Sequence, residues 1–288
     1  VKAFFQYFVY GSWWVALCAA ALGMLTWHDL SGSWWNLPTA FFILGGTLVI
    51  YNLNMLSGLA ELRQRGTHSE RHHWCMQNEQ LMTTTLGIGI TMAVGSVWFL
   101  NSAIWLFMVP LSIIAAAYVL PLLRTQNDRT RLREVGLWKI FLIAVVWSGM
   151  TVTLPAVHLY GLDQFSDLSS WQLAVERGIF ILAITLPFDI RDLVNDAKKG
   201  VRTIPSVIGW QRTVWLSEVL MVAFLALVGF RLGMDNPLFV AYAISSLLTM
   251  ALLSVATPHR QDMYCSFWVE GAMMLQFAAV LAAWSFLV

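Results

Sequence analysis

Residues 173–205 read LAVERGIFILAITLPFDIRDLVNDAKKGVRTIP, and the fold follows from how this stretch changes character halfway along. From Gly178 to Phe188 no residue is charged; from Asp189 onward acids and bases crowd together. An apolar run of membrane length, roughly 20 residues, that breaks off into charge is the pattern of a helix leaving a bilayer. Working outward in both directions, the same alternation repeats along the chain.

Nine apolar runs result, at about 4–26, 37–57, 81–100, 103–123, 137–158, 173–190, 213–231, 237–256 and 265–287. The composition agrees: 58% of the 288 residues are hydrophobic and 11% charged, and the mean hydropathy is +0.67, outside the range of soluble globular domains. A net charge of +1 hides a strong segregation of sign along the sequence, so the total says little about partners; membrane lipids are expected, and nucleic acid is not. No soluble domain or low-complexity linker interrupts the runs, so residues 1–288 read as a single domain. The expected fold is an all-α, polytopic membrane protein.

Charge sorts by loop. Arg63, Arg65 and Arg71 follow the second run, Arg124, Arg129, Arg131, Arg133 and Lys139 the fourth, and Arg191, Lys198, Lys199, Arg202 and Arg212 the sixth. The opposite connections hold Asp29, Asp163, Asp167 and Asp235, with Arg177 and Arg231 the basic residues near that face. The excess of Lys and Arg marks the cytoplasmic side, placing the N-terminus there and the C-terminus opposite, with a bacterial inner membrane as the expected location. The apolar segment from Ala3 to Trp27 is too long and aromatic for a signal-peptide core and reads as a retained span. Trp13, Trp14, Trp34, Trp35, Trp98, Trp105, Trp147 and Trp171 suit an interfacial belt. Cys18, Cys75 and Cys265 lack metal-ligand or disulfide spacing and read as packing residues.

Chemistry concentrates at the end of the sixth run. Asp189, Asp192 and Asp196 stand at i, i+3 and i+7, which share one face of a helix. Stacked like charges at a helix C-terminus repel one another and oppose the macrodipole, so a cation should offset them. Hard carboxylate oxygens fit Mg²⁺, which is commonly shared between one or two carboxylates and substrate phosphates. Arg191, Lys198, Lys199 and Arg202 stand ready for phosphate charge, and Gly200 allows the chain to turn back.

Asp189-xx-Asp192-xxx-Asp196, followed by Lys199-Gly-Val-Arg-Thr-Ile-Pro, resembles the second aspartate-rich motif of the UbiA superfamily of intramembrane prenyltransferases. The resemblance implies a nine-helix bundle around a central cavity, with Asp189, Asp192 and Asp196 as the catalytic Mg²⁺-diphosphate ligands at its cytoplasmic mouth. It implies a transferase that moves an isoprenoid group from a prenyl diphosphate to an aromatic or other lipophilic acceptor. The family's first motif, NDxxDxxxD, falls on Asn52-Leu53-Asn54-Met55-Leu56-Ser57-Gly58-Leu59-Ala60-Glu61, where Asn52 alone matches. A family YxxxK stretch falls on Tyr118 with Leu122 in place of Lys, leaving Arg124 as the nearest cation. Asn52 and Arg124 are carried over as diphosphate contacts, and Tyr51, Tyr118 and Trp147 as aromatic walls for the prenyl group or acceptor. Glu79, Glu218 and Glu270 stand out as carboxyls in or near spans. Other readings remain open: a cyclase using the same aspartates, a non-catalytic lipid-binding relative, and a transporter, ranked last because the aspartates cluster at a cytoplasmic end rather than the midplane and the halves show no evident repeat.

Overall fold

The computed structural model describes residues 2–65, 69–119, 123–124, 129–130, 136–198 and 200–287. Helices dominate: α1 (Lys2–Tyr10), α2 (Trp13–Ser31), α3 (Leu37–Arg65), α4 (Glu70–Gln77), α5 (Glu79–Val97), α6 (Ile104–Val119), α7 (Lys139–Ser148), α8 (Leu154–Tyr160), α9 (Leu168–Lys198), α10 (Ile204–Ile208), α11 (Trp210–Leu232), α12 (Pro237–Ser254) and α13 (Glu270–Ser285). The remaining regular structure includes a two-residue antiparallel ladder, Leu123–Arg124 with Arg129–Thr130. The fold is all-α, as the apolar runs require, because a backbone in lipid must satisfy its own hydrogen bonds.

Among the described residues, six helices are long and apolar enough to cross a membrane, or seven when the bent pair α1 and α2 counts as one. α6 is apolar but shorter, and nine crossings are not established by these lengths. The first run is not one straight helix: it bends by 52° between Tyr10 and Trp13. Ser12, at φ 70°, takes the left-handed conformation that ends α1. The run over 137–158 is likewise interrupted by a π-turn at Gly149–Thr153, and a second π-turn at Tyr264–Val269 leads into α13.

The main core gathers Val15, Cys18, Leu22 and Leu25 of α2 with Phe180, Ile184, Phe224, Tyr242, Met273 and Val280. Around it the helices pack closely where small residues allow. A Cβ on Gly45 of α3 would lie 2.6 Å from the Gly89 carbonyl of α5, so these two helices touch backbone to backbone. All three cysteines are buried and free, in keeping with packing roles. The tryptophan belt is mixed: Trp35, Trp98, Trp105 and Trp171 are exposed, whereas Trp34 is buried and stacks on His28 with centroids 4.0 Å apart.

Candidate active site at the C-terminal end of helix α9

α9 runs unbroken through the aspartate motif to Lys198, so Asp189, Asp192 and Asp196 do share a helix face. Ala197 and Asp196 then accept from the backbone N–H groups of Gly200 and Val201. Gly200, at φ +70°, turns the chain back as the sequence expects. Pro187 interrupts the helix ladder one turn earlier, and its carbonyl accepts from the Cys265 thiol at 3.8 Å.

The three carboxylates find different partners. Asp189 is 1% exposed, and the ammonium of Lys139 lies 2.7 Å from its Oδ1 and 3.7 Å from Asp196 Oδ2. Lys139 opens α7, which packs along α9 and so delivers the ammonium between two turns of the motif. Asp192 is held instead by its neighbour, with Arg191 donating from Nε at 2.8 Å and from Nη2 at 3.0 Å. Burial alone would raise the Asp192 carboxyl, but Arg191 outweighs it and the carboxyl sits below its ordinary value.

Arg191 also reaches Asp262, with Nη1 3.7 Å from Oδ1. Asp262 Oδ2 in turn accepts from Ser69 Oγ at 2.7 Å and from the Arg71 backbone N–H at 3.1 Å, fastening the start of α4 to the site. His72, in the same turn, is pushed down from the ordinary histidine value by burial and then by Arg71. α4, α7, α9 and the segment before α13 therefore meet at one end of the bundle.

The other expected residues distribute unevenly. Lys198 and Arg202 are exposed and make no ion pair among the described residues. Lys199 and the Arg124 side chain lie outside the described residues. Asn52 is fully buried and donates to the carbonyls of Gly11, at 3.3 Å, and Leu48, at 2.9 Å, bracing the α1–α2 bend. Leu53 and Leu56 place no acid on the α3 wall. Tyr51 and Trp147 pack on the main core yet, like Tyr118, remain half-buried. Glu79 is exposed and pairs with Arg63. Lys139 and Asp262 were not picked out by sequence reasoning as site residues; Lys139 carried only the sign of a loop, and nothing local marks Asp262.

Magnesium suits the donor chemistry, since Asp189, Asp192 and Asp196 offer hard oxygens. Asp189 Oδ1 is buried without a well-aligned hydrogen bond despite the nearby ammonium. Among the described residues, however, no three His, Cys, Asp or Glu side chains group tightly enough to hold an ion alone. An ion there fits as one shared with phosphate oxygens.

Apolar helices on most faces, with a knot of carboxylates and cations at one end, define an integral, multi-pass membrane protein. A family model described as the UbiA prenyltransferase family matches residues 75–277, and the chain belongs to that family. A solved structure described as the apo structure of a UbiA homolog from Aeropyrum pernix K1 is similar at TM-score 0.63 and 15% identity, covering 94% of each chain. Another, from work on digeranylgeranylglyceryl phosphate synthase in membranes, is similar at TM-score 0.58 and 13% identity, covering 98% of this chain and 99% of that one. Comparison with curated proteins finds no match.

Proposed function

We propose that this chain is a Mg²⁺-dependent intramembrane prenyltransferase, moving an isoprenoid group from a prenyl diphosphate to a lipophilic acceptor. The observation that carries the reading is Asp189, Asp192 and Asp196 on one continuous helix face, interleaved with Lys139 and Arg191. In this reading the aspartates hold a Mg²⁺-diphosphate at the cytoplasmic side, with the N-terminus on that side. Magnesium supplies charge neutralisation of the diphosphate leaving group.

The residues of the chain divide the remaining work. Lys139 balances Asp189 and Asp196 and can turn to phosphate oxygens once an ion relieves it; Arg191, Lys198, Lys199 and Arg202 surround the rest of the phosphate charge. Apolar helix faces with Tyr51, Tyr118 and Trp147 line a central cavity for the isoprenoid and exclude water from the allylic carbon. As the C1–O bond breaks, its electron pair leaves with diphosphate. An acceptor electron pair forms the new bond to C1, and the displaced proton leaves on diphosphate.

The test is binding of geranyl and geranylgeranyl diphosphate to purified protein, with and without Mg²⁺, in wild type and Asp192→Ala. Metal-dependent binding that disappears in the variant supports the site; no binding by wild type rejects it. The lack of an acid at Leu53 and Leu56 favours a second reading, a lipid-binding member of the family without catalysis. Binding without release of diphosphate across a panel of acceptors would select that one.

A further inference from the structure

At the end of the bundle opposite the aspartates, His158 of α8 joins that helix to two turns of the chain. Its Nδ1 accepts from the backbone N–H of Asn101, in the turn between α5 and α6, at 3.1 Å. Its Nε2 lies 3.2 Å from Nδ2 of Asn36, in the turn between α2 and α3. Asn36 is not free to turn its amide over, because its Oδ1 accepts from the Thr39 N–H at 3.0 Å in the first turn of α3. Behind the half-buried ring stands buried Trp27 of α2, stacked on it with centroids 5.4 Å apart.

Both ring nitrogens are therefore approached by N–H groups. A neutral imidazole has one lone pair and one N–H, so it satisfies only one of these donors. The Asn101 N–H makes Nδ1 that acceptor; Nε2 then carries the hydrogen and faces an amide that only donates. One good bond holds the junction, with a mismatched contact beside it. A second proton puts N–H on Nδ1 as well, and the good contact also becomes donor against donor. Among the described residues no charged group acts on the ring to offset this. On the elements around it, Asp29 of α2 is taken up by Arg231 and Tyr242, and His28 stacks on Trp34. Tyr160 donates to the Leu30 carbonyl, Asp163 is exposed, and α3 and α6 carry no titratable side chain at this end.

We infer that His158 is a proton-operated latch: neutral, it ties the α2–α3 and α5–α6 turns to α8, and protonated, it lets them part. The ring stays against Trp27, whose face attracts a cation, so the turns are what move. Asn101 also caps α6, its Oδ1 accepting from the Ala103 N–H at 2.9 Å, and release therefore reaches the first turn of that helix. Glu176 of α9 and Arg231 of α11 hold the other half of this end through bonds of 3.0 and 3.1 Å that His158 does not touch. Opening is thus confined to the side of α3, α6 and α8. The latch is independent of the diphosphate reading, since it rests on the two contacts of the ring and lies at the other end of the bundle.

The experiment is amide hydrogen exchange of the full chain in lipid nanodiscs at pH 8 and pH 5, either side of the ordinary histidine value of about 6.5. Labelling times are scaled to the chemical exchange rate at each pH. In acid, wild type should lose about tenfold protection over residues 34–40 and 99–105, the worth of one hydrogen bond, while α9 and α11 hold theirs. His158→Gln, whose amide oxygen accepts from Asn101 without titrating, should keep the protection at both pH values. Asn36→Asp retains the cap on α3 and gives the Nε2 hydrogen an acceptor. In that variant residues 34–40 should stay protected in acid while 99–105 are still released, and with the ring intact it decides the matter if His158→Gln loosens both turns at pH 8. Equal protection of wild type at the two pH values, an acid loss in His158→Gln as large as in wild type, or release of both turns together in Asn36→Asp overturns the latch.

Discussion

At Asp189 a nearly fully buried carboxylate depends on one ammonium, that of Lys139, 2.7 Å away. Removing one partner of a buried pair leaves an uncompensated charge, so Lys139→Ala should lower stability by about 3 kcal/mol. Thermal unfolding in detergent checks this. If Mg²⁺ binds as proposed it takes the same electrostatic role, so its addition should raise the melting temperature of Lys139→Ala more than that of wild type, and chelation should reverse the gain. An equal response in both would show that the ion does not compete with the ammonium. The sequence disclosed the aspartate face because i, i+3 and i+7 spacing is a local property. It did not disclose Lys139, which is 50 residues away and reaches Asp189 only through the packing of α7 on α9. Asp262 stayed hidden for the same reason, and Glu270 was visible as a costly carboxyl near a span end, where snorkelling would have exposed it; the structure buries it instead.

Helix ends and helix contacts decide the elements. Asp167 caps α9: its carboxylate accepts from the backbone N–H groups of Ser169 and Ser170 and from both hydroxyls, at 2.6 and 2.7 Å for the latter. The Ser169 and Ser170 hydroxyls hold this carboxyl below its ordinary value. A depressed folded value means the cap contributes fully above the ordinary aspartate range and is lost as pH falls through the lowered one. Asp167→Ala should cost about 1 kcal/mol at pH 7, and the gap from wild type should close in strong acid, as melting curves at both pH values would reveal. Gly45 makes a second prediction. Gly45→Val forces a side chain into the Gly89 carbonyl and should cost about 2 kcal/mol, whereas Gly87→Ala, in open space on the same helix α5, should be nearly neutral. Apolar runs of about 20 residues made most of these helices legible in advance. The 52° break at Ser12 and the two π-turns were not, since each trades local regularity for contacts with distant helices.

Across the whole molecule, charge collects at both ends, with different results. At the end opposite the aspartates, Arg231 donates to both oxygens of Glu176, at 3.1 and 3.0 Å, and lies 3.4 Å from Asp29. Tyr242 donates to Asp29 at 3.2 Å, and Arg177 donates to Gln276 at 2.9 Å and to Thr26 at 3.3 Å. These contacts join α2, α9, α11, α12 and α13 in one buried web. Amide hydrogen exchange should therefore be slower around Glu176, Arg231 and Tyr242 than around Asp192 and α4, and Arg231→Met should speed exchange in all five helices together. Uniform exchange along α9 would contradict this. The web has a mechanical meaning. A bundle clasped at one end behaves like a pair of tongs: small adjustments about the clasp become wide movements at the tips. The tips are where α4, α7 and the aspartates of α9 meet, so the lipid substrate proposed above would find the bundle most able to yield on the side away from the clasp.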